Sequence, residues 1–535
     1  MSELRLVPAA LVVWAVAIAV IVAGPVVALG IIAVAVVGCV VWREPGQAIL
    51  CGGLGACSSA VAWVRCMTAR GTDFGEAFTG TVAGAPKQLD SGDWFVRVNV
   101  EGYPVPVPVF TAEVPGQLVS GTPVEIAGEA TESTRPGVGA VTVEGAIDVL
   151  GQPTGFAAFA AAVRDRFSTA VEAVVGEHAQ GLIPGMVVGD VSLQSPEEQQ
   201  AYIDTGLSHL SAVSGANCMY VAAAALLVSR LCRFGLRVQI ATAGCALLVY
   251  AGLVGPEPSV LRATVSGLVG FTAVVSSTRT EPIHALCLSI IGLVLVDSDL
   301  AVNYAFALST AATAGIVAIS PLIYRALAPL GWPDIVAKVV SVAAAADLAT
   351  APIIAGMAGK VSLVAVVANV LVSPVVGAVT VLGMAAAILA QLHTALATPL
   401  LWVVQPLAGW VRTVAETGAS LPSATVQARP IEAAVFYGWV LAGFIAHKPR
   451  ITLTCAVLIV SVGVMGSGEG KVDVDKRNIL VVDREEDIGP LPPGTTAVAV
   501  REGTQRKRPV VTQDGIPVIY PYNDQHDQPS ALHRR

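Results

Sequence analysis

Apolar runs of about twenty residues, nearly free of charge, follow one another along this 535-residue chain and leave it few folds to adopt. A segment that crosses the bilayer core must satisfy its own backbone, and a helix needs about 20 mostly apolar residues to do so. Residues 6–22, 26–41 and 48–67 meet that demand at the start, broken at Gly24-Pro25 and again from Trp42 to Gly46. The first run is too long for the core of a cleavable signal peptide, and a second span follows within a few residues. Only 13% of the residues are charged and 54% are apolar, against about 25% and 45–50% in a soluble chain. A soluble globular enzyme is therefore excluded as a description of most of the molecule.

The pattern changes over 74–150. From Trp94 to Glu101 apolar and polar residues alternate with the period of a half-buried strand. Similar runs occur at 80–83, 105–110, 124–127 and 140–149, separated by Gly, Pro and Asp. Five short strands with such turns predict a small water-exposed barrel of OB type. Residues 151–208 form a connector. Within it Phe156, Phe159, Val163, Phe167, Val171 and Val174 make a helical stripe, which either lies on the membrane surface or packs on the barrel. Residues 209–466 carry about ten further apolar segments. The stretch 361–391 is either one tilted helix or two half-helices broken at Pro374. Residues 467–535 are polar, with an acidic run at 483–487, Pro490 and Pro493, a basic patch at 506–508 and a few strand-like pieces. The expected fold is mostly α: a polytopic helix bundle with an inserted extracytoplasmic β-barrel.

Basic residues favour the cytoplasmic side of a membrane. With the N-terminus inside, Arg43, Arg230, Arg233, Arg237, Arg279, Arg325, Lys338, Lys448 and Arg450 fall inside. The turn Asp297-Ser298-Asp299, the barrel and the tail fall outside. Arg65, Arg70, Lys360, Arg412 and Arg429 run against this assignment.

Nine cysteines form no C-x-x-C pair, and seven histidines form no H-E-x-x-H. No phosphate-binding G-x-x-x-x-G-K-[ST] loop occurs either. No metal, cofactor or ATPase is expected from these residues.

Polar side chains gather instead where one apolar segment begins: Asp204, Thr205, His209, Ser211, Ser214 and Asn217, beside Gly215. Ser214 and Asn217, three apart, share a helix face. A helix cap with small-residue packing is the plain alternative to a substrate-contacting group. A second cluster is Pro258-Ser259-Val260-Leu261-Arg262. Its arginine falls within an apolar segment, where an ionisable group faces the bundle interior, a partner or a wet cavity unless it snorkels to the interface. Asp347, flanked by alanines in mid-span, should be paired or line a cavity. Asn369 precedes Ser373-Pro374 and is a further lining candidate.

These blocks carry a resemblance. Gly189-Asp190, the run 205–215 (TGLSHLSAVSG), the motif at 258–262 (PSVLR), and Ala351-Pro352, Val361-Ser362-Leu363, Ala368-Asn369 and Ser373-Pro374, in this order, resemble ComEC family competence proteins. The resemblance implies a multi-pass protein that passes single-stranded DNA across the cytoplasmic membrane during natural transformation. Its implied partners are single-stranded DNA, membrane lipid and other DNA-uptake proteins, with a homo-oligomer as a further expectation. His209, Ser214, Gly215, Pro258, Ser259, Arg262 and Asn369 match motif positions, and no catalytic chemistry follows for them. Many relatives continue into a metallo-β-lactamase-like nuclease domain. The 70 residues after Met465 are too few for that fold and hold no His-x-His-x-Asp-His run, so no nuclease is expected on this polypeptide. Asn217 stands where many relatives have histidine, so this position cannot titrate near neutrality.

The region 74–150 holds three basic residues (Lys87, Arg97, Arg135) against ten acidic ones. Single-strand binding combines stacking aromatics with a basic groove. Trp94, Phe95, Tyr103 and Phe110 are present, but the charge is wrong, which points to a structural or gating barrel. Two other functions compete: a secondary transporter of a small solute, served by Asp347 and Arg262, and an intramembrane serine protease using Ser214 with His284 or His393. A degenerate remnant of a competence protein is a third expectation.

Overall fold

The computed structural model describes residues 4–467, apart from 90–91, 116–117, 134, 140, 212, 277–280, 422 and 447, and four short strands beyond. Arg279, the acidic run 483–487, Pro490, Pro493 and the patch 506–508 lie outside the described residues. Two units are distinguished: residues 1–86 with 95–461, and residues 87–94 with 462–535.

The large unit opens with α1 (Val7–Ala23), α2 (Pro25–Val41) and α3 (Pro45–Arg70). Pro25 and Pro45 sit at the first helical position, where the missing N–H has no partner to lose. Ala9, Val13, Val16, Ala17, Cys51 and Ala62 pack the three together, small side chains allowing close approach.

The β segment follows as β1 (Ala77–Val82), β2 (Trp94–Asn99), β3 (Val107–Thr111), β4 (Pro123–Glu132) and β5 (Val141–Val149). The strands close in the order β1-β2-β3-β5-β4-β1, with β3 and β5 parallel. This is the five-stranded barrel connectivity of an OB fold. Alternation works as expected: Val96, Val98, Val107, Val109, Val124, Ile126, Val143 and Ile147 fill the interior, while Phe95, Arg97 and Phe110 lie on the opposite parity. Gly128 faces Gly145 across β4 and β5, and a Cβ on either would run into the other strand's backbone.

The connector forms α4 (Gly155–Val174), α5 (Glu177–Gln180), α6 (Leu182–Val188) and α7 (Pro196–Asp204). The stripe of α4 divides: Phe156 and Phe159 stay exposed, and most of the rest packs inside the bundle. Ala160, Val163, Phe167, Ala170 and Val171 are buried in one core with α6 and the later helices, and Phe167 is fully enclosed. At its first turn α4 meets the β segment, where Ala157 packs closely on Gly121.

The main bundle comprises α8 (Gly215–Leu231), α9 (Leu236–Val254), α10 (Pro258–Val275), α11 (Pro282–Val296), α12 (Tyr304–Ala318), α13 (Ser320–Leu327), α14 (Asp334–Ala358), α15 (Ala365–Ala390), α16 (Thr394–Ala419), α17 (Pro430–Ile445) and α18 (Pro449–Ser467). Among the described residues six helices are long and apolar enough to cross a membrane: α3, α9, α10, α14, α15 and α16. The pair α12–α13 makes a seventh if its 43° bend lies within one span, and α1, α2, α8, α11 and α17 are shorter apolar helices. This is the architecture of a multi-pass membrane protein. The bend falls at Ile319, ahead of Pro321, and not at Pro374. Helix α15 is continuous through Pro374, which corrects the half-helix alternative. Two short strands, β6 (Lys360–Ser362) and β7 (Thr425–Gln427), pair antiparallel between α14 and α17.

In the small unit β8 (Ile479–Val482), β9 (Ala497–Val500), β10 (Val510–Val511) and β11 (Pro517–Ile519) form a sheet ordered β10-β11-β9-β8, with Val498, Val500 and Val518 buried. The strand-like pieces of the tail are therefore strands.

Candidate functional site

The segment between α7 and α8 is a short irregular loop held from several sides. Gly206 adopts a φ of +69°, open to glycine, and packs against Ala365 at the start of α15. Gln194 donates to the Ser211 carbonyl at 2.7 Å, and Ser259 to that of Val213 at 3.4 Å. The loop thus ties α6, α10 and α15 to the start of α8.

At that start Asn217 is 1% exposed and donates to the Met186 carbonyl of α6 at 2.7 Å. Ser214 occupies the N-cap position of α8, yet makes no capping bond. Its hydroxyl donates to Asn217 Oδ1 at 3.2 Å instead. Gly215 lies against α10: a Cβ there would be 2.9 Å from Arg262 Nη2 and 3.2 Å from the Ala263 side chain. Pro258 is buried at the first position of α10. Arg262 is 8% exposed, and its Nε donates to Ser309 Oγ of α12 at 2.8 Å. No carboxylate pairs with it among the described residues.

Five of the residues singled out in sequence, Ser214, Gly215, Asn217, Ser259 and Arg262, therefore meet at one place. Asp204 lies further along the loop and pairs with Lys360 of β6 at 2.7 Å. His209 lies in the loop ahead of α8 and is exposed. The protein around the ring desolvates its charged form and lowers its pKa below the usual 6.5, opposed by its hydrogen bond to the Gly206 backbone. Asn369, half-buried, donates to the Ala365 carbonyl one turn back on α15. It joins the His209 side through the Gly206–Ala365 contact and stands apart from Arg262. Asp347 stands apart as well, hydrogen-bonded to Tyr437 of α17. It is thereby a paired carboxylate.

The lowered His209 pKa has a direct consequence. The folded protein holds this ring neutral, whereas the unfolded chain binds its proton from about pH 6.5 downward, so stability falls as the pH drops below that value. We expect detergent-solubilised protein to lose thermal stability between pH 7 and pH 5.5, and H209Q to lose less. Parallel melting curves for the two proteins would contradict this.

Three polar contacts were not foreseen in the sequence. Glu198, 5% exposed, accepts from the buried Tyr202 hydroxyl at 2.7 Å, and burial beside that carboxylate raises the tyrosine pKa. The i,i+4 spacing was visible but the burial was not. Arg65 of α3 binds Asp297 at 2.7 Å and donates to the carbonyls of Val296 and Pro104, the last within the β segment. Asp299 accepts from the Val138 N–H of the β4–β5 loop at 2.8 Å, and burial raises its pKa. Among the described residues no histidine is bonded to Ser214: its hydroxyl donates to Asn217, and His393 accepts from the Ala395 N–H that follows it.

A helical bundle with the character of a multi-pass membrane protein, an OB-type barrel and a buried, uncountered arginine at a helix junction define a membrane protein built around interior polar groups. The family model described as Competence protein matches residues 186–450, a segment that contains this junction whole. Residues 186–450 thus carry the Competence protein domain. ComE operon protein 3 of Bacillus subtilis (strain 168) is 25% identical over 225 residues, which cover 42% of this chain and 28% of that protein. The match thus spans little more than a quarter of that relative. No solved structure matches the chain.

Proposed function

We propose that the chain is a cytoplasmic-membrane channel for the uptake of single-stranded DNA in natural transformation, with no catalytic step of its own. The observation that carries this reading is Arg262, a buried guanidinium without a carboxylate, set inside the family segment where α8, α10 and α12 meet. A charge so placed in an apolar bundle needs an anion or a wet path, and DNA is a polyanion. His209 and Asn369, apart from Arg262 on the α15 side, are a second polar stretch of the path in this reading.

The barrel and the tail are placed outside the cell. Several basic residues that oppose this orientation are engaged by protein acceptors: Arg65 with Asp297, Lys360 with Asp204, and Arg412 with Glu416. Paired charges weigh less in setting topology than free ones. The barrel acts as a structural or gating module. Its aromatic residues Phe95 and Phe110 pack on each other, and Arg97 between the strands' outer positions turns to Glu257, the residue before α10, at 3.6 Å. Transport of a small solute is the second reading, favoured by the Asp347–Tyr437 pair and the bend at Ile319.

Deletion in a transformable host, scored by internalised labelled DNA, tests the proposal. Loss of internalised DNA with surface binding retained is the expected result. Unchanged transformation would end the DNA reading and leave the solute reading to be tested.

A further inference from the structure

The geometry points to an oxyanion site at the amino end of α8, where Arg262 and the first N–H groups of that helix receive one phosphodiester of the passing strand. This rests on the DNA reading and names the group that the site would hold.

A helix N-terminus carries partial positive charge and free N–H donors. In α8 no side chain caps them. Ser214 sits where it could cap them but spends its hydroxyl on Asn217. The N–H groups of Gly215 and Ala216 have no acceptor among the described residues. The independent observation is Arg262, more than nine-tenths buried and held by one bond through Nε to Ser309. Its two terminal nitrogens have no protein acceptor among the described residues, and they are absent from the fully enclosed unpartnered atoms, so they keep accessible surface. Nη2 points at Gly215, and the close approach exists because that residue has no side chain. The nearby carboxylate, Glu257, is turned toward Arg97. One helix start and a guanidinium with free donors, with no acid paired to them among the described residues, suit a singly charged oxyanion.

The test uses full-length protein in nanodiscs and a fluorescent oligothymidylate, with binding followed by anisotropy across a salt series. R262Q should weaken binding about 10-fold or more, the scale of a lost charge-assisted bond, and reduce the slope of log K against log salt by about 0.7. R262K keeps the charge but not the fork, so it should retain the slope and weaken binding about 5-fold. G215A, which pushes on Nη2, should act in the same direction as R262Q, and it decides the matter if R262Q does not fold. A neutral methylphosphonate oligomer should bind R262Q and wild type equally. Wild-type affinity and slope in both R262Q and G215A would overturn the proposal. So would a site that loses inorganic phosphate on R262Q while oligothymidylate binding is unchanged, since it would then serve a free anion. If deletion abolishes uptake and these variants bind normally, the site falls and the channel reading stands. If deletion leaves uptake intact, the channel reading falls, and the binding assay still judges the site's chemistry.

Discussion

Replacing Asn217 by leucine should destabilise the protein by about 3 kcal/mol and abolish DNA uptake. The amide of Asn217 donates to the buried Met186 carbonyl, accepts from the part-buried Ser214 hydroxyl and also bonds the Tyr250 side chain. Leucine fills the volume but leaves the Met186 carbonyl and the Ser214 hydroxyl without these partners, and each unsatisfied buried group costs about 1–3 kcal/mol. The bond to Met186 fixes α6 against α8, so its loss would also release the loop that carries His209 and the start of α8 beside Arg262. N217D is the sharper variant because it keeps the shape. Its carboxylate cannot donate to Met186, and it brings a buried negative charge to the same carbonyl. Both variants should melt well below wild type in detergent and show no internalised DNA. An N217D protein with wild-type melting temperature and uptake would show that the Asn217 bonds do not organise the site.

Replacing Arg65 by alanine should loosen the barrel from the helices. Arg65 reaches three acceptors: the Asp297 carboxylate and the carbonyls of Val296 and Pro104. The pair is partly exposed, so solvent screens it, and the expected loss is about 1–3 kcal/mol. The Val138 amide gives a local readout, because Asp299 accepts from it across the same junction. We expect R65A to speed its hydrogen exchange by about 10-fold or more. D299A should do so as well, whereas D299N, which keeps an acceptor oxygen, should stay near wild type. Burial already disfavours the charged form of Asp299, so the neutral amide has no charge to desolvate. Unchanged Val138 exchange in R65A would place the docking elsewhere.

Much of this was legible in the sequence, and the reasons are specific. The barrel strands could be read because alternation is local: Val96 and Val98 point inward and Phe95 and Arg97 outward in any such strand. Arg262 could be read because a lone charge in an apolar run demands an explanation. The partners of these groups could not be read, since they are set by contacts far apart in the chain. Ser309 lies 47 residues from Arg262, and Asp297 lies 232 from Arg65. Pro374 misled for a related reason. Proline removes one helical hydrogen bond, but whether the helix breaks depends on what packs around it, and α15 is buried along its length by Val372, Val376, Val379 and Gly383. The break fell instead at Ile319, where nothing local stood out except Pro321 two residues on. The stripe of α4 showed that the helix had a partner and could not say which: α6, α15 and α16 supply it.

Photo-crosslinking during DNA uptake measures the wet route most directly. A benzoylphenylalanine at His209 or Asn369 should capture the incoming labelled strand, and one at Trp402 or Leu458, large apolar residues on the outer surface of the bundle, should not. Capture at Trp402 and Leu458 with none at His209 and Asn369 would show that the strand does not pass among the interior polar groups.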